Sequence, residues 1–364
     1  MRNIVVIALC CLLVLTACSS YQGAGLDDEF DVSLPASPEL PPIDNNRFTF
    51  AADQDVVGQI QVVTARYEDT FVDLARAYGL GFDDLVAANP DVDPWLPGEG
   101  TVIVLPTQYV LPLAPRRGIV LNIASKRLFY FHPVADGDPQ VVETFPIGIG
   151  RTGWATPTGV TSVVSRVRDP VWFVPKSVRA EHLAAGDPLP RRVQPGPDNP
   201  LGHYALGLGL PGYLIHGTNK PAGVGMRVSH GCIRLFPEDI EYIFGQVEIG
   251  TQVRIVNQPY LLGWRGNWLY LEAHTPLDED KREWLDLLLP MARSSLVESG
   301  DMDPSVDEAR LHKVADEQRG YPVPAGRRSA DAEQQAPAVR HVTNILAERN
   351  PVPDSMQSDN ITVN

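Results

Sequence analysis

The 364-residue chain has four cysteines, Cys10, Cys11, Cys18 and Cys232. Three of them crowd into the first 18 positions, so the rest of the chain holds one thiol with no partner for an intramolecular disulfide. Positive charge is also scarce. Thirty Lys and Arg stand against 45 Asp and Glu, and the formal net charge of −15 argues against nucleic acid as a partner. Long apolar runs are missing: Ile4 to Leu15 is too short to span a bilayer, and no further run reads as a transmembrane helix. No internal repeat is visible. Proline, by contrast, is abundant at 33 residues, which suggests linkers and tails, and the length allows two or three domains.

The first residues bear on the compartment. Met1-Arg2-Asn3 is a short n-region and Ile4 to Leu15 an apolar h-region. Leu15-Thr16-Ala17-Cys18 follows and resembles a bacterial lipoprotein cleavage box; the alternative is an ordinary signal peptide that contains Cys18. On the lipoprotein reading, residues 1–17 are the leader and the mature chain begins at a lipidated Cys18. Ser19 beside it resembles outer-membrane sorting more than inner-membrane retention. The expected location is therefore the periplasm, with a lipid anchor in the outer membrane. Cys10 and Cys11 leave with the leader and Cys18 is blocked. Cys232 is then the one free thiol in an oxidising compartment, where it is either reactive or buried.

Residues 18–60, rich in Pro, Ser and acidic residues at their start, read as a flexible tether. Residues 61–106 form a small α+β module. Val62-Val63 opens a strand, and Phe71, Leu74, Ala75 and Tyr78 fall on one helical face. Phe82 to Ala88 suggests a second short helix stopped by Asn89-Pro90, and Val102 to Leu105 closes with a strand. This order, with Asp69-Thr70, Leu74-Ala75, Tyr78-Gly79 and Asn89-Pro90, resembles a LysM module. The resemblance implies binding to peptidoglycan glycan; the alternative is a packing domain that binds nothing.

After a linker at Pro112 and Pro115, residues 117–257 read as a mainly β domain. Gly118 to Ile123 and Arg127 to Phe131 form a hairpin around Ala124-Ser125-Lys126. Val141 to Ile147 and Val160 to Val167 continue the β pattern. Asp169 to Pro211 is long, loop-like and rich in Pro and Gly, a lid or substrate wall unless it is a mere insertion. Pro237 suits the first turn of a helix with Ile240, Ile243, Phe244 and Val247 on its apolar side, and Gln252 to Val256 is a last strand. Residues 258–324 hold a hairpin around Trp264 to Trp268 and two helices, one starting at Thr275-Pro276-Leu277-Asp278 and one at Ser305 to Glu308. Residues 325–364 are polar and aperiodic and read as disordered.

The chemistry concentrates between His216 and Arg234. Tyr213 to His216 is a short apolar strand, a loop with Pro221, Gly223 and Gly225 follows, and Met226 to Leu235 reads as a second strand or turn. If that stretch is extended, period two puts His230 and Cys232 on one face. A thiol is mostly protonated at neutral pH, while the attacking species is the thiolate, so an imidazole that takes the proton and later returns it to a leaving amine would complete a nucleophilic site. Spacing does not choose between His216 and His230 as that base. Backbone N–H groups of His230, Gly231 and Cys232 are candidates for an oxyanion hole. Arg234 would lie on the Cys232 face and could bind a peptide carboxylate through its planar fork, or be a surface ion pair. Arg227 has a weaker case, and Thr218 and Asn219 could orient the imidazole. Zinc held by Cys232, His216 and His230 is the rival use, but a fourth ligand is not evident. No metal or cofactor is expected.

His216-Gly217, the gap and Ser229-His230-Gly231-Cys232 followed by Ile233-Arg234 resemble the active-site signature of the YkuD-type L,D-transpeptidases. Thr156-Pro157-Thr158-Gly159 and Asn199-Pro200-Leu201-Gly202 also resemble that domain, over roughly residues 117–257. The resemblance implies a barrel-like β-sandwich with one or two helices, with Cys232 as nucleophile and His216 as base. Ser229, His230, Gly231 and Gly217 would have orienting or oxyanion roles. It implies peptidoglycan stem peptides as substrate. Cys232 would attack the L-centre carbonyl of diaminopimelate, release D-Ala and form a thioester. An amine of another stem or of an outer-membrane lipoprotein or protein would then take the acyl group; transfer to water would make the enzyme a carboxypeptidase or a protein-releasing hydrolase. A wall-tethering lipoprotein without chemistry is the remaining alternative, against which the intact motif argues.

Overall fold

The computed structural model describes residues 46–135, 138–299, 305–328 and 339–346. The leader, Cys18 and the first part of the expected tether lie outside these residues. The chain is mainly β, built on a nine-stranded mixed sheet. In spatial order its strands are Arg47–Phe50, Gln140–Pro146, Arg127–Phe131, Gly118–Asn122, Gln252–Val256, Gly159–Arg168, Tyr204–Leu208, Leu214–His216 and Ile233–Arg234.

Alternation along the central strands sends apolar side chains to both faces. Ile119, Leu121, Leu128, Tyr130, Val253 and Ile255 enter one core together with Ile240 and Ile243 of the helix Pro237–Gln246. Val120, Phe129, Phe131 and Val142 point the other way, into a second core. That core is closed by the small module: Phe71, Leu74 and Tyr78 of its first helical segment, Leu85 of its second, and Ile103 and Leu105 of its strand. The hydrophobic stretches at 119–121 and 128–131 are thus those of strands buried on both faces. Two α-helices, Lys176–Ala184 and Pro237–Gln246, lie within residues 117–257.

The module has strand Gln61–Thr64, helices Phe71–Ala77 and Phe82–Ala88, and strand Val102–Leu105, the two strands pairing antiparallel. Thr70 caps the first helix by accepting from the Asp73 N–H. Asn89 ends the second, its side chain bridging Leu85 and Val104 at 2.9 Å each.

Four expectations need correction. Part of the expected tether is strand: Arg47–Phe50 pairs antiparallel with Gln140–Pro146, and Val56–Gly58 with Gln108–Val110. These short segments satisfy otherwise unpaired strand edges, which local composition does not reveal. Part of the expected disordered tail is also ordered. Val323–Arg327 joins a four-stranded sheet with the Tyr260–Arg265/Trp268–Ala273 hairpin, and Arg340–Val342 pairs parallel with Gln61–Thr64. Asn344 is buried there, donating to Asp69 Oδ2 at 2.6 Å and to the Thr64 carbonyl. The first C-terminal helix begins at Trp284, not at Thr275. Asp280, whose carboxylate accepts from Arg282 and from Trp284 Nε1, holds a non-helical turn ahead of it. The second helix starts as expected, with Asp307 capping by accepting from the Arg310 N–H at 2.9 Å. Lastly, 169–211 is not one loop. It contains the pair Trp172–Phe173/Arg192–Val193, the helix Lys176–Ala184 and the sheet strand Tyr204–Leu208. Among the described residues no helix is long and apolar enough to cross a membrane.

Candidate active site

The strands Leu214–His216 and Ile233–Arg234 are parallel neighbours, with Ile215 opposite Ile233 and His216 opposite Arg234. Ile215 and Ile233 both enter the core, being 0% and 1% exposed. In-register parallel residues share a face. His216 and Arg234 therefore take the face away from that core, and Cys232, one residue before the strand, stands beside Leu214 on the same side. Pairing brings the segment that ends at His216 alongside the one that follows Cys232.

The stretch from Met226 to Leu235 is not one continuous strand. Arg227–Ser229 pairs with Ile149–Gly150, Ile233–Arg234 pairs with Leu214–His216, and Gly231 between them has φ +104°. His230 and Cys232 consequently face different surroundings, which corrects the period-two expectation. A Cβ at Gly231 would lie 3.1 Å from Tyr213 Cε1, so both backbone conformation and space require glycine.

Side chains lock this turn. Ser229 Oγ accepts from the Gly231 N–H at 3.1 Å and donates to the Cys232 carbonyl at 2.6 Å. Thr156 Oγ1 donates to the Gly231 carbonyl at 2.9 Å and accepts from the Gly150 N–H. The Gly231 N–H is thus occupied, and the oxyanion candidates narrow to His230 and Cys232.

The Cys232 thiol donates to the Gly212 carbonyl at a sulfur–oxygen distance of 3.7 Å. Burial pushes its pKa up, against a backbone hydrogen bond from Leu214 and the charge of Arg234. His216 is 3% exposed, and its Nδ1–H donates to the Gly217 carbonyl at 2.6 Å. Burial, with the Arg234 charge adding, lowers its pKa to about 4, opposed by hydrogen bonds to Gly217 and Leu201. The Gly217 carbonyl thus holds the ring at Nδ1. The Asn199–Gly202 turn positions this carbonyl pair: Asn199 Oδ1 accepts from the Leu201 N–H, and its amide donates to the Pro170 and Gln194 carbonyls.

Arg234 is half-buried. Desolvation lowers its pKa, and no acceptor lies within hydrogen-bond reach of its buried Nε among the described residues. His230 faces a charged cluster instead. Its Nε2 lies 3.2 Å from an Arg151 terminal nitrogen and 3.3 Å from Glu181 Oε2, Arg151 also pairs with Glu181, and the Trp154 ring meets the imidazole edge-on at 4.8 Å. Burial and Arg151 lower the His230 pKa, against Glu181. Glu181 belongs to the helix inside 169–211, which therefore reaches the catalytic motif.

Sequence reading missed Arg151, Trp154, Glu181 and Tyr213 as site neighbours, and nothing in their local pattern marks them. The other candidates are placed elsewhere. Arg227 pairs with Asp278 and Glu279. Thr218 Oγ1 accepts from the Lys220 N–H and Asn219 donates to the Pro197 carbonyl, so neither orients the imidazole. Among the described residues no group of three or more His, Cys, Asp or Glu side chains is arranged to hold a metal ion.

A half-buried thiol and a buried imidazole at neighbouring parallel strands, beside an arginine, fit a cysteine acyl-transfer site. Residues 116–255 match the YkuD family, described as the L,D-transpeptidase catalytic domain. The chain is 43% identical over 255 residues to the probable L,D-transpeptidase YcfS of Escherichia coli K12, covering 69% of this chain and 78% of that one. It is 36% identical over 295 residues to the probable L,D-transpeptidase ErfK/SrfK of Salmonella typhimurium LT2, covering 80% and 90% respectively. It is 38% identical over 273 residues to the probable L,D-transpeptidase YbiS of Escherichia coli K12, covering 74% and 88%. The chain belongs to the L,D-transpeptidase family, whose members act on peptidoglycan stem peptides, and it is an L,D-transpeptidase.

Proposed function

We propose that Cys232 attacks the carbonyl at the L-centre of the third stem residue, diaminopimelate, with His216 as the base. The observation that supports this reading is the parallel pairing of Leu214–His216 with Ile233–Arg234, the strand that Cys232 immediately precedes. His216 takes the thiol proton through Nε2, the sulfur–carbon bond forms, and the tetrahedral oxygen is met by the N–H groups of His230 and Cys232. The proton passes to the departing D-Ala amine, leaving a thioester. An incoming amine then loses a proton to His216 and displaces the sulfur. Arg234, with no ion pair among the described residues, supplies positive charge for a carboxylate of the stem.

The acceptor is an amine of another stem's diaminopimelate or of an outer-membrane lipoprotein or protein. Lipidation at Cys18 would hold the enzyme in the periplasm against the outer membrane. The strand-helix-helix-strand order supports glycan binding by the LysM-like module, and the Glu181 contact with His230 supports a substrate wall built from 169–211.

Intact-mass spectrometry of the soluble chain with a disaccharide-tetrapeptide, beside Cys232→Ala, tests the route. A thioester adduct on the wild type alone, with D-Ala released, is expected. A folded wild type that gives neither adduct nor D-Ala would overturn it. Products formed with and without added amine separate transfer from hydrolysis.

A further inference from the structure

The loop between the two catalytic strands is held from outside by the small module. Gly81, ahead of the module's second helix, and Gly225, in the loop between His216 and Ser229, meet backbone to backbone. A Cβ on Gly225 would lie 2.2 Å from Gly81 Cα, and one on Gly81 would lie 2.7 Å from Gly225 Cα. Beside this contact, the Phe82 N–H donates to the Val224 carbonyl at 3.5 Å. Beyond the catalytic strands in the chain, Glu238 is gripped by Arg76 of the module's first helix through two bonds of 2.8 Å, and the Arg76 guanidinium lies 5.8 Å from the centre of the Phe236 ring. Phe236 follows Arg234 by two residues. The module therefore touches the catalytic segment both before Cys232 and after it, and it shares a buried core with the sheet beneath.

We infer that the module is a positioning element of the catalytic site, fixing the 217–226 loop and the start of the Pro237–Gln246 helix and thereby the placement of Cys232 against His216. This rests on the reading of those two residues as nucleophile and base. It gives the module a part in turnover that is separate from any binding to glycan. A tethered recognition domain would need a mobile linker, whereas here two glycines have been kept small at a backbone crossing that no side chain could enter. Glycine at position 81 is not needed for its own conformation, since its φ of −84° is open to any residue. The space taken by Gly225 is what excludes a side chain there.

That makes Gly81→Ala the informative variant in the full soluble chain. Its methyl group has no local backbone strain and pushes on Gly225. With a soluble tetrapeptide lacking glycan, kcat is expected to fall by about tenfold or more with KM little changed, because small displacements of reacting groups are costly. The pH profile of Cys232 alkylation should move with it, a readout that a purely structural role would leave in place. Arg76→Ala is the second variant. It removes an exposed ion pair, is expected to stay folded, and should lower kcat in the same direction; Arg76→Glu combined with Glu238→Arg should restore it. Wild-type kcat and an unchanged alkylation profile in folded Gly81→Ala and Arg76→Ala would overturn the inference. Absence of turnover in the wild type, or turnover surviving Cys232→Ala, would instead overturn the catalytic reading on which it rests.

Discussion

Ser229 and Cys232 are joined across the catalytic turn: the Ser229 hydroxyl donates to the Cys232 carbonyl at 2.6 Å while it accepts from the Gly231 N–H. The hydroxyl closes the turn that presents Cys232. Ser229→Ala leaves a buried N–H and carbonyl unpaired, a loss of about 1–3 kcal/mol. The expected result is a lower melting temperature together with a reduced kcat, and Ser229→Thr should recover most of both. Kinetics and thermal melts on the three proteins check it.

The resting pair is a neutral thiol beside a neutral imidazole, because burial raises the Cys232 pKa and lowers that of His216 to about 4. Alkylation of Cys232 by iodoacetamide should therefore rise only at alkaline pH, above the range of an ordinary thiol. A large thiolate fraction near neutrality would contradict the neutral pair. The same His216 shift affects folding. Its folded pKa lies below its ordinary value of 6.5, so the stability of the neutral ring is present above that value and is lost as pH falls toward about 4. His216→Gln should lose activity and flatten this acid limb of stability.

Arg234 carries a half-buried charge without an acceptor at its Nε among the described residues, and that charge lowers the pKa of both Cys232 and His216. Arg234→Gln should raise KM for the donor stem and move Cys232 alkylation to higher pH. Removing a partly desolvated charge costs the fold little, so the melting temperature should not fall. Arg234→Lys should return the alkylation profile but only part of KM, since an ammonium lacks the bidentate fork. A drop in melting temperature with unaltered KM would assign Arg234 a structural role.

Asp239, on the Pro237–Gln246 helix, has its carboxyl pushed up to about 7 by burial, with Glu238 adding and Arg127 and Arg76 opposing. Its Oδ2 has no hydrogen-bond partner among the described residues. The folded pKa lies above the ordinary 3.8, so its stability contribution is complete below that value and is lost as pH rises toward about 7. Asp239→Asn should melt higher than wild type at about pH 8, by on the order of 1–3 kcal/mol, and equally at about pH 4. A shift independent of pH would refute the assignment.

Sequence by itself determined the elements whose signal is local. The module's helical segments follow from the spacing of Phe71, Leu74 and Tyr78 and from the cap at Thr70. The turn at Cys232 follows from Ser229 and Gly231, because a glycine at φ +104° and a serine two residues earlier make that turn through neighbouring atoms. Tertiary structure decided what depends on distant partners. The surroundings of the two histidines come from strand register, which joins Ile215 to Ile233 and sets His216 opposite Arg234, while His230 lies outside that pairing. The Arg151–Glu181 cluster around His230 comes from residues far apart in the chain. Strands Arg47–Phe50 and Arg340–Val342 form only because the edges of Gln140–Pro146 and Gln61–Thr64 offer them partners. Periodicity and caps act over one or two turns of chain; register, burial and ion pairing are set by whichever surfaces the folded chain brings together.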